Sequence, residues 1–474
     1  MALVMAGGHE PTRTLVWFRR QLRVDDQPLL AGMTGPVAGV WILDPRELLA
    51  EDPLDFPRCC GRRLRFILES VDALRASLRR LGSELMIRMG KPEVVLPDLV
   101  AGLGVTRVRL VREPGTEERA IERALLKRLN AQHPECDQDA LDPECLYELD
   151  DVFEHARDLP EVFSNWRRQV EKRMQLGHPV EAPSRLETLS HELEPGALPS
   201  LTELGVEEPG DDDRGVMVFR GGEPAAFERL RSWVFDRDCL RSYKETRNGL
   251  LGADYSSKLS PWLALGCISS RRVAEQTLVY EDQRVANDST YWLRFELHWR
   301  EYFRLYLLKH GRLLFHADGP QGRELDWGRN RETFDAWCRG RTGVDFVDAN
   351  MIELASTGFM SNRGRQNVAS FLAKNLGIDW RWGARWFESR LVDYCPAANW
   401  GNWAYAAGVG ADPRGFRGFD VIGQAQRYDP GAEYSRLWLR GLDRPRPIVD
   451  PRRSLADAEE RWHPAERKRR ASGR

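Results

Sequence analysis

The sequence predicts two domains, an N-terminal α/β domain built on a doubly wound parallel sheet and a larger all-α domain. Two observations predict this arrangement. Short apolar runs alternate with helical patterns over the first part of the chain, and beyond a stretch rich in proline, glycine and acidic residues almost every pattern is helical. The chain has 474 residues, of which 42% are hydrophobic, and this is enough material for more than one core.

The α/β domain is predicted from four apolar runs of β type that are separated by helix-length segments. Helical crossovers join such strands in parallel and cover both faces of the sheet. No G-x-G-x-x-G motif follows the first run, so the sequence does not favour dinucleotide binding of the Rossmann type. The predicted strands are 14–18, 37–43, 84–88 and 105–111, and the predicted helices include 61–81 and 117–130.

A change in composition predicts the domain boundaries. From about residue 178 to residue 226 no regular period is visible, and the motif EPGDDDRG indicates an interdomain connection. The ending ERKRRASGR is basic and predicts a disordered tail. We therefore divide the chain into the α/β domain 1–135, a long linker 136–224, the helical domain 225–448 and the tail 449–474.

Composition and charge exclude several classes of protein. A net charge of -2 and a pI near 6.6 exclude a globally basic nucleic-acid binder, so a site for a polyanion must be local. Neither a signal peptide nor an apolar run of about 18 residues is visible, which predicts a cytoplasmic protein. The eight cysteines are scattered without a C-x-x-C motif, so neither a disulfide scaffold nor a metal site is predicted.

Tryptophan is concentrated in the helical part, where nine of the sixteen tryptophans fall between Trp292 and Trp403. A large helical core is one interpretation. The other is stacking on a base, or electron transfer to a buried aromatic cofactor. The sequence leaves both interpretations open.

One predicted helix carries a carboxylate within an aromatic stripe. Buried in such a stripe, Glu296 would be neutral or would need a donor, because desolvation disfavours its charged form. The alternative is a surface pair between Glu296 and Arg300 at i, i+4. Perturbed carboxylates cluster at functional sites, which favours a functional role. The residues that share this face are Trp292, Phe295, Glu296, Trp299 and Phe303.

Two further stretches are rich in hydrogen-bond donors. In FMSNRGRQNVASFL, Arg363 and Arg365 are two residues apart and point in different directions, so one can face an internal anion. The segment from Asn362 to Arg390 contains six basic and two acidic residues, which predicts a local basic face. The loop ADYSSKLSPW precedes a predicted helix and suits a phosphate, although a simple N-cap would have the same pattern.

Five motifs, in this order and spacing, resemble the photolyase and cryptochrome family over nearly the whole chain, from about Thr14 to Leu442. They are LVWFRRQLRVDD, SSKLSPWLALGCIS, FELHWREYFR, DANMIELASTGFMSNRGRQNVASFL and DYCPAANWGNWAYAAGVGADPRGF. Within the family, the motifs SSKLS, NRGRQN and NWAYAAGVG are similar to those of the DASH-type cryptochromes, which resemble photolyases acting on cyclobutane pyrimidine dimers in single-stranded DNA.

The resemblance implies an enzyme, a deoxyribodipyrimidine photo-lyase that uses blue light and electron transfer from reduced FAD. It implies a helical domain that binds FAD and an α/β domain that binds an antenna. Folate-type and flavin-type antenna sites share this domain, and the resemblance to the DASH type alone implies 5,10-methenyltetrahydrofolate. The implied partner is dimer-containing DNA, single-stranded by preference, and we expect a monomer. The alternative is a signalling or transcription-regulating cryptochrome with the same flavin chemistry.

The resemblance also implies the residues that hold FAD. Asn399 would lie beside flavin N5, and Arg365 would face Asp393. One departure concerns Cys395, which replaces the second aspartate of the family's D-x-D. A thiol makes a weaker hydrogen bond and removes a negative charge, so Cys395 could favour anionic flavin or loosen FAD. The implied FAD-binding set is Tyr243, Ser256, Ser257, Lys258, Leu259, Ser260, Arg300, Asn362, Arg365, Asp393, Cys395 and Asn399.

On the lesion side, Glu296 would hydrogen-bond the dimer and stabilise its radical anion, and Trp299 would offer a face for stacking. With Asn399 they form the implied catalytic set. Gln366 and Tyr405 stand where double-strand photolyases usually place a methionine and a second tryptophan. The implied DNA contacts are Glu296, Trp299, Arg300, Asn362, Arg363, Gln366 and Tyr405, and the implied electron-transfer chain is Trp403, Trp380 and Trp327.

Overall fold

The computed structural model describes residues 11–190, 193–412 and 414–471, with side chains up to residue 463. Strands and helices alternate in the first third of the chain, and the remainder is helical, which confirms the predicted fold class. The strands are β1 Thr14–Phe18, β2 Pro36–Leu43, β3 Glu51–Asp52, β4 Phe56–Pro57, β5 Leu85–Met89, β6 Arg107–Val111, β7 Asp137–Leu141 and β8 Glu187–Thr188.

The helices follow the same division. Those of the first half are α1 Pro45–Leu48, α2 Gly61–Arg80, α3 Pro92–Leu103, α4 Thr116–Gln132, α5 Val152–Arg157 and α6 Phe163–Arg173. The α-helices that follow are α7 Glu223–Arg231, α8 Tyr243–Thr246, α9 Ser260–Leu265, α10 Ser270–Gln283, α11 Asp288–His310, α12 Arg331–Cys338, α13 Asp345–Thr357, α14 Asn362–Ser370, α15 Trp380–Arg390, α16 Pro396–Ala407, α17 Val421–Tyr428, α18 Glu433–Leu439 and α19 Pro451–Ala471. Within the described ranges, none of these helices combines the length and the apolar character needed to cross a bilayer.

The main sheet is parallel, with strand order β5-β2-β1-β6-β7, and β8 pairs with the start of β2. Alternate side chains of β1 enter different cores. Val16 and Phe18 pack toward the helical domain, whereas Leu15 and Trp17 pack under α3 and α4. Both faces of the sheet are therefore covered. This explains why all five residues of β1 are buried and why all of them except Thr14 are apolar.

The four predicted strands and both predicted helices agree with the structure to within about two residues, the uncertainty normal at element ends. The predicted linker is different. It contributes β7 to the sheet as well as α5 and α6, so the sheet continues past the predicted boundary at residue 135. Apolar periodicity does not reveal β7, because it is an edge strand whose aspartates form ion pairs with β6. Arg107 lies 2.7 Å from Asp137, and Arg109 lies 2.8 Å from Asp139.

The predicted disordered tail is wrong for residues 451–471, which form α19. Ser454, Ala458 and Trp462 recur every four residues and are buried on one face of this helix. Trp462 is the one large aromatic residue among these three, and it packs the helix against the rest of the protein. The composition of the tail did not reveal this contact, because charged residues dominate it.

Candidate functional site

A cavity of about 520 Å³ lies within the helical domain, between α11, α14, α16 and the segment that follows α16. It brings together most of the residues that the sequence analysis selected. Those that line it are Glu296, Trp299, Arg300, Asn362, Arg363, Arg365, Gln366, Asp393, Cys395, Asn399, Trp403 and Tyr405. Residues more than a hundred positions apart in sequence therefore face one space.

One side of the cavity holds an ion pair whose carboxylate is buried. Arg365 donates from Nη2 to Asp393 at 2.8 Å and from Nε to the carbonyl of Met360 at 2.9 Å. The Asp393 side chain is 2% exposed, and its buried Oδ1 has no hydrogen-bond partner among the residues that the structure describes. Asn399 donates to the carbonyl of Ala384 at 2.9 Å, which leaves its side-chain oxygen as an acceptor. This side therefore offers acceptors held in place by the protein.

Cys395 occupies the N-cap of α16 and lines the cavity beside Arg300. Arg300 donates to the carbonyl of Leu263 at 2.9 Å. Within the described residues Arg300 forms no ion pair with a carboxylate, and burial lowers its pKa. The possible Glu296–Arg300 surface pair is therefore not formed, and Glu296 has another partner.

The opposite side of the cavity is built on α11, which starts with a capping box at Asn287. Glu296 accepts from Arg247 at 2.7 Å and from the indole of Trp292 at 3.2 Å. Desolvation raises the pKa of Glu296, while Arg247 and the Trp292 hydrogen bond oppose that shift. The carboxylate predicted within the aromatic stripe thus lies in a partly desolvated wall and is held by a guanidinium.

Trp299 has one face covered. Phe163, the first residue of α6, stacks on it with ring centroids 3.7 Å apart and an interplanar angle of 11°. Phe303 lies 5.4 Å away in a tilted stack, and the edge contact to Tyr405 is 5.9 Å between ring centroids. A segment predicted as linker therefore fixes the ring plane of a cavity residue.

The mouth of the cavity carries a cluster that the sequence analysis missed. The Asp412 carboxylate accepts from Arg414 Nε at 2.8 Å and from Arg417 at 3.5 Å. Both arginines donate to the hydroxyl of Tyr405, Arg417 at 3.2 Å. The motif GVGADPRGF could have indicated this cluster, since it places Asp412 and Arg414 in a glycine-rich turn after a helix. Arg247, the partner of Glu296, was also missed, because no recognisable motif surrounds it in the sequence.

Gln366 and Arg363 lie side by side on α14. Arg363 donates to Gln366 at 2.9 Å, to Asn248 at 2.9 Å and to Gln424 at 3.3 Å. The wall near Gln366 is therefore polar. Arg363 and Arg365 point in different directions, as their spacing predicted.

The basic face predicted between Asn362 and Arg390 is wrong. Lys374 is buried and donates to the carbonyl of Ala407 at 2.6 Å, and Arg381 pairs with Asp379 at 2.6 Å. Arg385 reaches the other domain and pairs with Asp52 at 2.9 Å. These cations belong to successive turns that face different parts of the molecule, so their charges do not add on one surface.

The donor-rich loop at residues 256–260 lies outside the cavity wall, as does the buried Tyr243. Arg229 donates to the carbonyls of Ser256 and Ser257, and Ser260 begins α9. The side chain of Lys258 is buried against its own loop. Its Nζ donates to the carbonyl of Ala253 at 3.0 Å and lies 3.2 Å from the ring centroid of Tyr255. Burial lowers the pKa of Lys258 to about 6.

Three selected tryptophans differ in exposure. Trp403 lines the cavity and is 2% exposed, Trp380 is fully buried, and Trp327 is half-buried. The indoles of Trp380 and Trp327 both donate to the carbonyl of Ala317, each at 3.1 Å. These two rings are therefore adjacent.

A second cavity, of about 690 Å³, lies between the α/β and helical domains. Arg58 pairs with Glu388 across it at 2.9 Å. Glu47 and Glu118 line its α/β side, and burial raises the pKa of Glu47. Phe315, Trp382 and Trp400 supply aromatic surface from the helical side. The cavity therefore suits an aromatic ligand with hydrogen-bond donors.

Comparisons with known proteins agree with this architecture. Residues 14–184 match the family model described as DNA photolyase, and residues 292–466 match the FAD binding domain of DNA photolyase. A cryptochrome DASH from Gloeobacter violaceus is 44% identical, with 97% of this chain and 98% of that protein aligned. Another from Natronomonas pharaonis is 46% identical, with 95% of each chain aligned.

Solved structures give the same result. A cryptochrome from Synechocystis sp. superposes with a TM-score of 0.91 at 40% identity, covering 95% of this chain and 99% of that one. A class III photolyase from Agrobacterium tumefaciens superposes with a TM-score of 0.81 at 27% identity, covering 98% and 100%. The resemblance read from the motifs is confirmed, and the chain belongs to the photolyase and cryptochrome family, among the DASH cryptochromes.

Proposed function

We propose that this protein is a deoxyribodipyrimidine photo-lyase that uses blue light to repair cyclobutane pyrimidine dimers, preferentially in single-stranded DNA. One observation carries the proposal. A single cavity has the Arg365–Asp393 pair and Asn399 on one side and Glu296 with an aromatic wall on the other. Such a cavity can hold an electron donor and its acceptor next to each other.

The residues of the first side fit FAD. The Oδ1 of Asp393, which has no hydrogen-bond partner among the described residues, and the oxygen of Asn399 are acceptors for ring N–H groups, and Arg365 is the ion-pair partner of Asp393. Beyond the cavity wall, the family resemblance assigns the diphosphate to Tyr243 and to the hydroxyl and backbone groups of residues 256–260. Lys258 would contribute little charge there, because its buried Nζ faces Tyr255. Bound FAD in its reduced form would supply the electron that opens the dimer.

Replacing Asp393 by asparagine should lower the affinity for FAD by about tenfold or more, because it removes the carboxylate that pairs with Arg365 in the cavity wall. The measurement is a fluorescence titration of the apoprotein with FAD. Asp412→Asn is the matched control, since Asp412 is also a buried cavity carboxylate paired with arginine. Equal losses of FAD in the two variants would contradict the assignment of Asp393.

The residues of the second side fit the dimer. Glu296 offers a carboxyl group whose pKa is raised by desolvation, and Trp299 offers the part of its ring not covered by Phe163. Gln366 and the hydroxyl of Tyr405 make the remaining wall polar. A polar wall holds an extruded dimer less tightly than an aromatic one. The energy of flipping a lesion out of a duplex, roughly a few kcal/mol, is then difficult to recover.

Repair should therefore be efficient on single-stranded DNA and poor on intact duplex, and local opening of the duplex around the dimer should restore it. The experiment follows loss of the dimer under blue light on three oligonucleotides of one sequence: single-stranded, fully paired, and mismatched around the lesion. Salt must be constant, because phosphate contacts dominate affinity. Equal turnover on paired and single strands would contradict the preference, and no repair of any of them would favour a signalling role.

We propose that the interdomain cavity holds the antenna, 5,10-methenyltetrahydrofolate. A pterin ring presents N–H donors that a carboxylate accepts, and Glu118 is a buried carboxylate in that wall, 3.1 Å from Arg20. Glu118→Gln should lower the ratio of folate to FAD in chromophores released from purified protein, without changing FAD. Release of a second flavin in place of folate would show that the antenna is of another class.

A further inference from the structure

One wall of the 520 Å³ cavity has no regular structure of its own. The segment from Gly408 to Phe419, described except at residue 413, contains neither helix nor strand in its described residues. Asp412, Arg417 and Phe419 line the cavity from this segment. Contacts from outside the segment must therefore fix where these side chains lie.

One such support is the loop before α12. The backbone N–H of Gln321 donates to the carbonyl of Val409 at 3.1 Å, and its side chain donates to the carbonyl of Asp412 at 2.7 Å. Arg323 donates to the carbonyl of Gly408. These bonds hold the first half of the segment.

The other support is α19. Trp462 is 3% exposed, and its ring lies directly against Gly408, where a Cβ atom would overlap the indole. Phe416 makes an edge contact with the same indole at 5.8 Å between ring centroids. Further along, Leu455 fills the space that a Cβ at Gly418 would need. Both ends of the wall segment therefore pack on one face of α19.

Two basic side chains flank the ring of Trp462. Lys374 Nζ lies 3.8 Å and Arg323 Cζ 4.1 Å from the ring centroid of the indole. Lys374 also donates to the carbonyl of Ala407, the last residue of α16. Asn375 donates to the carbonyl of Pro451 at 2.7 Å and so fixes the start of α19. The docking of α19 thus depends on an aromatic ring packed between two basic side chains, which a phenyl ring can partly replace.

We propose that Trp462 is a positioning residue for nucleic-acid binding: through α19 it holds the segment 408–419 so that Arg417 is preorganised at the cavity mouth for a DNA phosphate. This inference rests on the proposed function for its ligand. Arg417 is already directed by Asp412 and Tyr405, but those contacts link residues of the wall and of α16 only. Ordering the segment before DNA arrives removes an entropy cost from binding.

Hydrogen exchange of the FAD-loaded protein, without DNA, tests the first step. In Trp462→Ala we expect amides of residues 408–412 and 414–419 to exchange at least about tenfold faster than in the parent, while those of α11 and α14 keep their protection. Trp462→Phe should exchange close to the parent rate. Leu78→Ala, which removes a fully buried side chain from α2, controls for general destabilisation and should leave the segment protected. Unchanged exchange of the segment in Trp462→Ala would overturn the inference.

Binding tests the second step. The dissociation constant for a fluorescently labelled single-stranded oligonucleotide carrying a thymine dimer should rise about tenfold in Trp462→Ala and return near the parent value in Trp462→Phe. Under repair conditions the KM should rise while kcat stays unchanged, since the reacting groups are not touched. Faster exchange with unchanged affinity would also overturn the inference. If the parent itself binds no DNA, the proposed function fails, and the exchange result alone decides whether α19 orders the wall.

Discussion

Replacing Trp403 by phenylalanine is expected to leave FAD bound and to slow light-driven reduction of the oxidised cofactor by external donors more than about tenfold. Photoreduction needs closely spaced aromatics that oxidise easily, and phenylalanine oxidises far less readily than tryptophan. In the proposed electron-transfer chain, Trp403 is the tryptophan that lines the cavity, whereas Trp380 is buried and Trp327 is half-buried. Removing its indole interrupts the chain at the cavity end.

The variant should remain folded. Trp403 packs against the edge of Phe387 at 5.1 Å between ring centroids and into a recess left open by Gly383. Phenylalanine keeps most of this apolar contact, so we expect a loss of about 1–3 kcal/mol in the free energy of unfolding. Repair that starts from chemically reduced FAD should survive, because that electron passes directly from the cofactor to the dimer.

Trp386→Phe is the matched control. Trp386 lies on α15 but packs against Phe56 and Arg390 and does not line the cavity. Its photoreduction rate, measured by the absorbance of oxidised flavin under constant blue light, should equal that of the parent. If Trp403→Phe also matched the parent, electrons would follow another route. Trp400, whose ring centroid lies 5.8 Å from that of Trp380, would then be the first residue to test.

Replacing Glu296 by alanine is expected to lower the repair rate by about tenfold or more, because one preorganised hydrogen bond to a developing charge contributes at least that much. The carboxyl group lies in a partly desolvated wall, where desolvation raises its pKa and makes its interactions stronger than in water. FAD content and thermal unfolding should stay close to the parent, since Glu296 is on the opposite side of the cavity from Asp393. The measurement is single-turnover repair of a bound single-stranded oligonucleotide.

The truncation also releases Arg247, so a second variant separates the two effects. Glu296→Gln keeps a side-chain oxygen for Trp292 and Arg247 but removes the ionisable group. Recovery of repair in Glu296→Gln would assign the effect to hydrogen bonding, and continued loss would assign it to the charge or the proton. Loss of flavin or of the folded state in Glu296→Ala would show that the residue is structural, contrary to the proposal.

The sequence was most informative where residues interact with near neighbours in the chain. β1 and α2 begin where their patterns predict, because a fully buried strand and an amphipathic helix carry their periodicity in contiguous residues. β7 was missed for the opposite reason. Its half-exposed, acidic side chains are stabilised by arginines of β6, about 30 positions earlier, and that pairing has no local signature.

The family motifs likewise identified most of the cavity wall, since they carry Glu296, Asn362, Asp393 and Asn399 in recognisable order. They did not identify Arg247 as the partner of Glu296, because an ion pair across 49 positions depends on how α11 packs beside α8. Side-chain partners of this kind are decided by packing and not by spacing.

What the chain determined locally is therefore the alternation of strands and helices, the face of α11 that carries Glu296, and the presence of a family site. Only the tertiary structure decided which charged side chains pair with one another and which segments are packed against the rest of the protein. The cations between Asn362 and Arg390 are close together in sequence, but Arg365, Arg381 and Arg385 are directed to three different carboxylates and Lys374 is buried, so their charges do not add on one surface. Residues 451–471 of the tail expected to be disordered form a helix instead, because Trp462 packs against Gly408 and between Lys374 and Arg323. The physical reason is the same in both cases: net charge and hydrophobicity are sums along the chain, whereas a buried contact depends on partners that the fold brings from distant positions.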